Sequence, residues 1–342
     1  MLCLAFACNG NRADTAPGEH LRSPDGRDAY IAAAATEDDA SPRTGSTSSG
    51  SSGAGSSGAR PTGDAPMPGI VENDGGPDSF VRFAVIGDYG LDSDYEEAVA
   101  RLVTSWNPAF VITTGDNNYF SGSADTIDEN IGKHYGRFIG NYKGVYGRGS
   151  PTNRFWPSAG NHDWGSPNLQ AYRDYFTLPG NERYYDVDQG LVHLYAIDSF
   201  EADPDGTSMD SIQANWLKDR LSKSTACFDV VYFHYPPYSS GSFHGSTPGM
   251  RWPFEAWGTE VVMTGHEHFY ERLQVGGIPY LTVGLGGASP YGFALPLSQS
   301  RFRYNGDFGA LRVTADRHAI QFEFINVHNR VVDSFIQRKE CP

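Results

Sequence analysis

From residue 80 onward the chain alternates short apolar runs with polar clusters. Segments 82–86 (RFAVI), 109–113 (AFVIT), 191–197 (LVHLYAI), 228–233 (FDVVYF) and 261–264 (VVMT) are rich in β-branched and aromatic residues and predict strands. Between them, 93–106 places Ala98, Leu102 and Val103 on one face with acids in the first turn. Segment 211–222 likewise spaces Ile212, Trp216, Leu217 and Leu221 for a helix. Strand, helix, strand in succession implies βαβ units and a largely parallel sheet. After His268 only strands are expected, at 273–275, 278–283, 310–314, 320–327 and 331–336, as hairpins or meanders of a second, partly antiparallel sheet. The expected fold is therefore α/β, with two facing mixed sheets and helices outside.

Residues 9–79 have a different texture, dominated by Gly, Ser, Ala, Pro, Thr and Asp, with the run TGSTSSGSSGAGSSG at 44–58. Such a segment cannot bury enough apolar surface to offset its ordering entropy, so a disordered tether is expected there. The folded domain is then 80–342. Residues 1–8 (MLCLAFAC) read as the remnant of a secretory or lipoprotein signal with Cys8 as the lipidated residue, although the run is short and has no basic start. No later segment reaches the roughly 20 apolar residues of a membrane span. The expected location is outside the cytoplasm: secreted, periplasmic or a cell-surface lipoprotein anchored through Cys8.

A net charge of −15 argues against nucleic acid or an anionic membrane as the main partner. Of the four cysteines, none has the spacing of a zinc knuckle or a CxxC pair. In an oxidising compartment Cys227 and Cys341 can bond; the alternative is two unpaired thiols.

Polar clusters follow the predicted strands: Gly87-Asp88-Tyr89-Gly90, Gly115-Asp116-Asn117-Asn118-Tyr119, Gly160-Asn161-His162-Asp163, His234 in Phe233-His234-Tyr235-Pro236, and Gly265-His266-Glu267-His268. Residues just past the carboxyl ends of parallel strands share one crevice. Carboxylate, amide oxygen, imidazole and phenolate suit hard or borderline metals, and a glycine before a cluster permits a tight turn. His266 and His268 fit either a strand face or a turn. His20, His134, His193, His318 and His328 read as ordinary surface or satisfied histidines.

In this order the clusters resemble the calcineurin-like metallophosphoesterase superfamily, whose blocks read GD-x-G, GD-x-x-Y, GNH, a lone His and GH-x-H. The resemblance spans 82 to about 272. Tyr119 makes it similar to the purple acid phosphatases, as do the stretches HYPPYSSG at 234–241 and GHEHFYER at 265–272. The folded length matches their small single-domain type, the tartrate-resistant acid phosphatases. The resemblance implies a four-layer α/β/β/α sandwich and two metal ions. Fe(III) would be held by Asp88, Asp116, Tyr119 and His268. A divalent ion, Fe(II), Zn(II) or Mn(II), would be held by Asp116, Asn161, His234 and His266, with Asp116 bridging.

The implied activity is acid phosphatase: in-line attack of metal-bound hydroxide on a small phosphate monoester. His162 and His244 match positions used beside the metals, where imidazolium binds phosphate and protonates the leaving oxygen. A monomer is expected. The alternatives are a phosphodiesterase of the same superfamily and a non-catalytic metal- or phosphate-binding surface module. Asp163 and Asp198 suit either the orientation of ligands or the capping of turns, and loops 241–249 and 284–293 are where substrate choice would sit.

Overall fold

The computed structural model describes residues 80–341; the proposed signal remnant, Cys8, the tether and His20 lie outside the described residues. Both anticipated helices begin with a serine cap. Ser93 accepts from the Glu96 amide at 3.1 Å to start α1 (Asp94–Ser105), and Ser211 accepts from the Ala214 amide at 3.0 Å to start α4 (Ile212–Ser222). Three shorter helices, α2 (Lys133–Tyr135), α3 (Gln170–Tyr175) and α5 (Phe254–Trp257), fill connections. Ile212 is exposed rather than part of the apolar face; Gln213 and Ala214 take the buried positions beside Leu217 and Leu221.

The described strands form two mixed sheets. The first has parallel β1 (Val81–Ile86), β2 (Phe110–Thr113) and β3 (Phe155–Pro157), extended from β1 by antiparallel β11 (Gly309–Ala315), β12 (Ala319–Asn326) and β13 (Val331–Arg338). The second runs β10 (Ser300–Tyr304), β8 (Tyr270–Val275), β9 (Ile278–Val283), β7 (Val261–Thr264), β6 (Phe228–Tyr232), β5 (Val192–Ala196), β4 (Tyr185–Gln189). In it β5, β6, β7 and β9 are parallel neighbours.

This corrects the expected assignment of strands. The strands after His268 do not make a sheet of their own: β8 to β10 complete one sheet and β11 to β13 the other. The parallel strands are shared out too, β1, β2 and β3 in one sheet and β5, β6, β7 and β9 in the other.

Period-2 alternation in the second sheet separates its faces. Val230, Tyr232, Met263, Leu281 and Val283 join the central core between the sheets, while Val231, Phe233, Val262 and Tyr280 pack with Leu217 and Leu221 of α4 outside. Each such side chain contributes roughly 1.5–3 kcal/mol when fully buried. Across the centre, Tyr270 of β8 stacks on Phe324 of β12 at 4.4 Å, and Arg272 pairs with Asp333 of β13 at 2.7 Å. Cys227 and Cys341 are joined by a disulfide, their Cα atoms 5.2 Å apart. No described helix is long and apolar enough to cross a membrane.

Candidate metal centre

The carboxyl ends of β1, β2, β3, β6 and β7 open on one rim, and the seven side chains singled out in the sequence meet there in two overlapping groups. In the first, the Tyr119 hydroxyl lies 3.1 Å from His268 Nε2 and 3.5 Å from Asp88 Oδ1, and His268 Nε2 lies 3.4 Å from the same Asp88 oxygen. In the second, His234 Nε2 lies 3.0 Å from Asn161 Oδ1, 3.2 Å from Asp116 Oδ2 and 3.2 Å from His266 Nδ1. Asp116 belongs to the second group, and its carboxylate also acts on the first by raising the Tyr119 phenol.

The backbone that aims these groups differs from expectation. The left-handed conformation belongs to the functional residues themselves, Asp88 (φ 55°), Asp116 (φ 52°) and His266 (φ 70°); of the glycines before them only Gly115 (φ 93°) shares it. Such a residue stores strain of about 1–3 kcal/mol. Gly87, Gly160 and Gly265 are needed for close approach instead. A Cβ would strike Thr114 at Gly87, the Asp116 carboxylate at Gly160, and Asp88 with the Thr114 carbonyl at Gly265. His266 and His268 sit in a turn, closed by the Glu267 amide on the Gly265 carbonyl at 2.8 Å, and not on a strand face.

The protons show what this arrangement lacks. His234 Nδ1 is 2.8 Å from the Thr114 carbonyl and His268 Nδ1 is 2.9 Å from the Ser289 carbonyl. A carbonyl only accepts, so each Nδ1 carries a hydrogen, and a neutral ring turns its Nε2 lone pair to the site. For His234 that lone pair faces two oxygens and one nitrogen, and for His268 a phenol and a carboxylate. Lone pairs converging on one point call for a cation, and the donor set fits. Carboxylates and a phenol gather on one side for a hard ion, imidazoles and an amide oxygen on the other for a borderline one.

Charges within the site couple its titrations. Burial pushes the Asp116 carboxyl up, but His234, His162 and His266 more than offset it and hold it well below the carboxylate range. Burial lowers His234 and His268, and Asp116 and Asp88 respectively raise both rings above the usual value. Burial, with His234 and His244 beside it, drives His266 well down. Burial and the charges of Asp116 and Asp88 hold the Tyr119 phenol well above 10, so a bound cation is what would ionise it.

His162 and His244 flank this pocket. The His162 amide donates to Asp116 Oδ1 at 3.0 Å, its Nδ1 sits 2.6 Å from the Phe120 carbonyl, and its Nε2 lies 3.9 Å from Asp116 Oδ2. The His244 ring lies over His266 with centroids 3.9 Å apart. The remaining described histidines are elsewhere: His134 pairs with Asp92, His193 with Asp186, His318 with Glu340 and His328 with Asp307.

Asp163 and Asp198 prove to be braces. Asp163 accepts from the Gly160 amide at 2.8 Å and from Asn117 Nδ2 at 2.9 Å, tying the third cluster to the second. Asp198 accepts from Trp164 Nε1 at 2.8 Å and the Phe200 amide at 2.9 Å. Sequence reasoning passed over Asn117, Tyr291, which stacks on His268 at 3.9 Å, and Glu267. Asn117 and Glu267 occupy positions that motif spacing treats as filler, and Tyr291 falls in the 284–293 loop named only as a segment.

The sequence profile of the calcineurin-like phosphoesterase family matches residues 81–270. Tartrate-resistant acid phosphatase type 5 of Rattus norvegicus is 25% identical over 249 residues, covering 61% of this chain and 73% of the rat protein. Purple acid phosphatase 17 of Arabidopsis thaliana is 23% identical over 299 residues, covering 77% and 86%. Among solved structures, purple acid phosphatase PPD1 from yellow lupin (Lupinus luteus) seeds aligns with a TM-score of 0.62 at 19% identity, over 77% of this chain and 54% of that one. GAP50, the anchor in the inner membrane complex of Plasmodium, aligns with the same TM-score and identity over 76% and 90%. The profile match takes in more than half of the 342 residues and every side chain gathered at the rim, and the chain belongs to the calcineurin-like phosphoesterase family.

Proposed function

We propose that the protein is an acid phosphatase that hydrolyses phosphate monoesters with Fe(III) and a divalent ion, Fe(II), Zn(II) or Mn(II). Asp88, Asp116, Tyr119 and His268 would hold the ferric ion, and Asp116, Asn161, His234 and His266 the divalent one. The observation that carries this reading is the buried Tyr119 phenol set between His268 and Asp88. A phenol there favours a trivalent partner over a purely divalent pair. When bound, the paired cations neutralise phosphate charge and make water reactive toward phosphorus.

The chain's own residues do the rest. His162 is held by its own amide on Asp116 and by Nδ1 at the Phe120 carbonyl, which leaves Nε2 on the side of the Asp116 carboxylate, 3.9 Å from Oδ2. His244 faces the pocket from the other side, over His266. As imidazoliums the two bind phosphate oxygens. A water oxygen bonds to phosphorus as the P–O bond to the ester oxygen breaks, and that oxygen takes a proton from an imidazolium. The need to protonate the leaving oxygen supports an acidic optimum. The Cys227–Cys341 disulfide supports an oxidising location, in keeping with export through a signal and a lipid anchor at Cys8.

The purified protein should hydrolyse p-nitrophenyl phosphate at pH 5 and show a violet to pink charge-transfer band. A coloured protein that prefers bis(p-nitrophenyl) phosphate would make it a diesterase. A colourless one that cleaves neither ester would leave a binding module.

A further inference from the structure

The turn that carries His266 and His268 and the strand that follows it also hold two glutamates, Glu267 and Glu271, both fully buried. A buried carboxylate is costly unless hydrogen bonds satisfy it, and here most of those bonds go to a single loop, 239–246. Glu271 holds the base of the loop. Its oxygens accept from the Ser240 amide at 2.8 Å and the Ser240 hydroxyl at 2.6 Å. Glu267 holds the tip, with Oε1 accepting from the His244 amide at 3.0 Å and from the Gly245 amide as well. Gly245 has a φ of +77°, which lets two successive amides turn toward one oxygen. Gly241 presses against the same carboxylate so closely that a Cβ would overlap it. The loop is thus wrapped around the Glu267 side chain, and the residue it presents at the tip is His244, whose ring lies over His266.

We infer that Glu267 is a positioning residue for phosphate-ester hydrolysis: reaching back from the turn between His266 and His268, its carboxylate fixes the backbone of His244 and so sets that imidazole over the pocket. This rests on the acid phosphatase reading, with His244 taken as the imidazolium that supplies the proton to the leaving oxygen. It makes the GH-x-H turn and the proton donor one mechanical unit, although they are separated in sequence by more than twenty residues. The middle residue of the turn is then no spacer.

Leaving-group dependence separates this role from general structural support. An alkoxide needs a proton as it departs far more than p-nitrophenolate does, so misplacing the donor penalises alkyl esters selectively. The metal-loaded enzyme and its His244→Ala, Glu267→Ala and Glu267→Gln variants would be assayed for kcat and KM on glycerol 2-phosphate and p-nitrophenyl phosphate, with metal content measured in parallel. His244→Ala and Glu267→Ala are both expected to lose about tenfold more kcat on the alkyl ester than on the aryl ester. Metal content should stay at the wild-type level, and the double variant should lose no more than His244→Ala alone. Glu267→Gln, near-isosteric and with one acceptor oxygen left, should fall between wild type and Glu267→Ala; it carries the test if Glu267→Ala does not fold. Equal losses on the two esters, loss of metal, or additivity with His244→Ala would overturn the inference and leave the acid phosphatase reading in place. If His244→Ala itself shows no leaving-group bias, that reading's proton donor is wrong, and the role of Glu267 falls with it.

Discussion

At the carboxyl ends of β6 and β7 the chain gathers His234 and His266 with buried acids, left-handed backbone and opposed lone pairs. At the opposite ends of the same strands it does the reverse. Cys227, just before β6, is bonded to Cys341 past β13, and Glu260, just before β7, accepts from the Asp229 amide and pairs with Lys339. These links stitch one sheet to the far strand of the other. Both ends use the same β-rich strands, so the strands set direction and spacing while the flanking residues decide whether an end costs stability or supplies it. The rim holds left-handed backbone and buried charge, and the other end contributes a covalent link and an ion pair.

Cutting into the rim should have the largest effect. Asp116→Ala removes the carboxylate common to both groups and should lower kcat/KM on p-nitrophenyl phosphate by about a thousandfold or more. Metal content should fall with it, while the circular dichroism spectrum is retained. Full activity in that variant would mean that Asp116 is not shared.

Cutting the stitched end should do the opposite. Replacing both Cys227 and Cys341 with serine opens a link across 114 residues of sequence and should cost roughly 2–5 kcal/mol in urea unfolding, with kcat unchanged. A drop in kcat of the folded variant would show that the two ends are coupled.

Asp198 sharpens the comparison from the rim side. Burial, with Asp203 adding to it, pushes its carboxyl up to about 8. An unfolded Asp titrates near about 4, so between the two values the folded state holds the extra proton. The group's contribution to stability is therefore full below pH ~4 and is lost as pH rises to about 8. Asp198→Asn removes that dependence, so its melting temperature relative to wild type should climb from pH 5 to pH 8. A gap that stays constant with pH would show that the carboxyl is not held protonated.

The sequence made the rim legible because each functional residue follows a strand, and strands reveal themselves by local apolar pattern. Pairing of the later strands was not legible. β11 lies against β1 with Val81 opposite Ala315, a contact no local window records. β3 is three residues ending in proline, β4 alternates acids with partly buried positions, and β10 is a half-exposed edge, so none carries a strong strand signal. In the site, residue types marked Asp88, Asp116, Tyr119 and the histidines. They were silent on Glu267 and Asn117, whose work is to hold other residues by hydrogen bonds that exist only after folding.

The central claim is that two cations share Asp116. Anomalous diffraction from crystals of the purified protein tests it directly. Two peaks are expected, one amid Asp88, Tyr119 and His268 and one amid Asn161, His234 and His266, each within coordination distance of Asp116. Well-ordered crystals of catalytically active protein with no anomalous density at the rim, or with metal bound only elsewhere, would contradict the account.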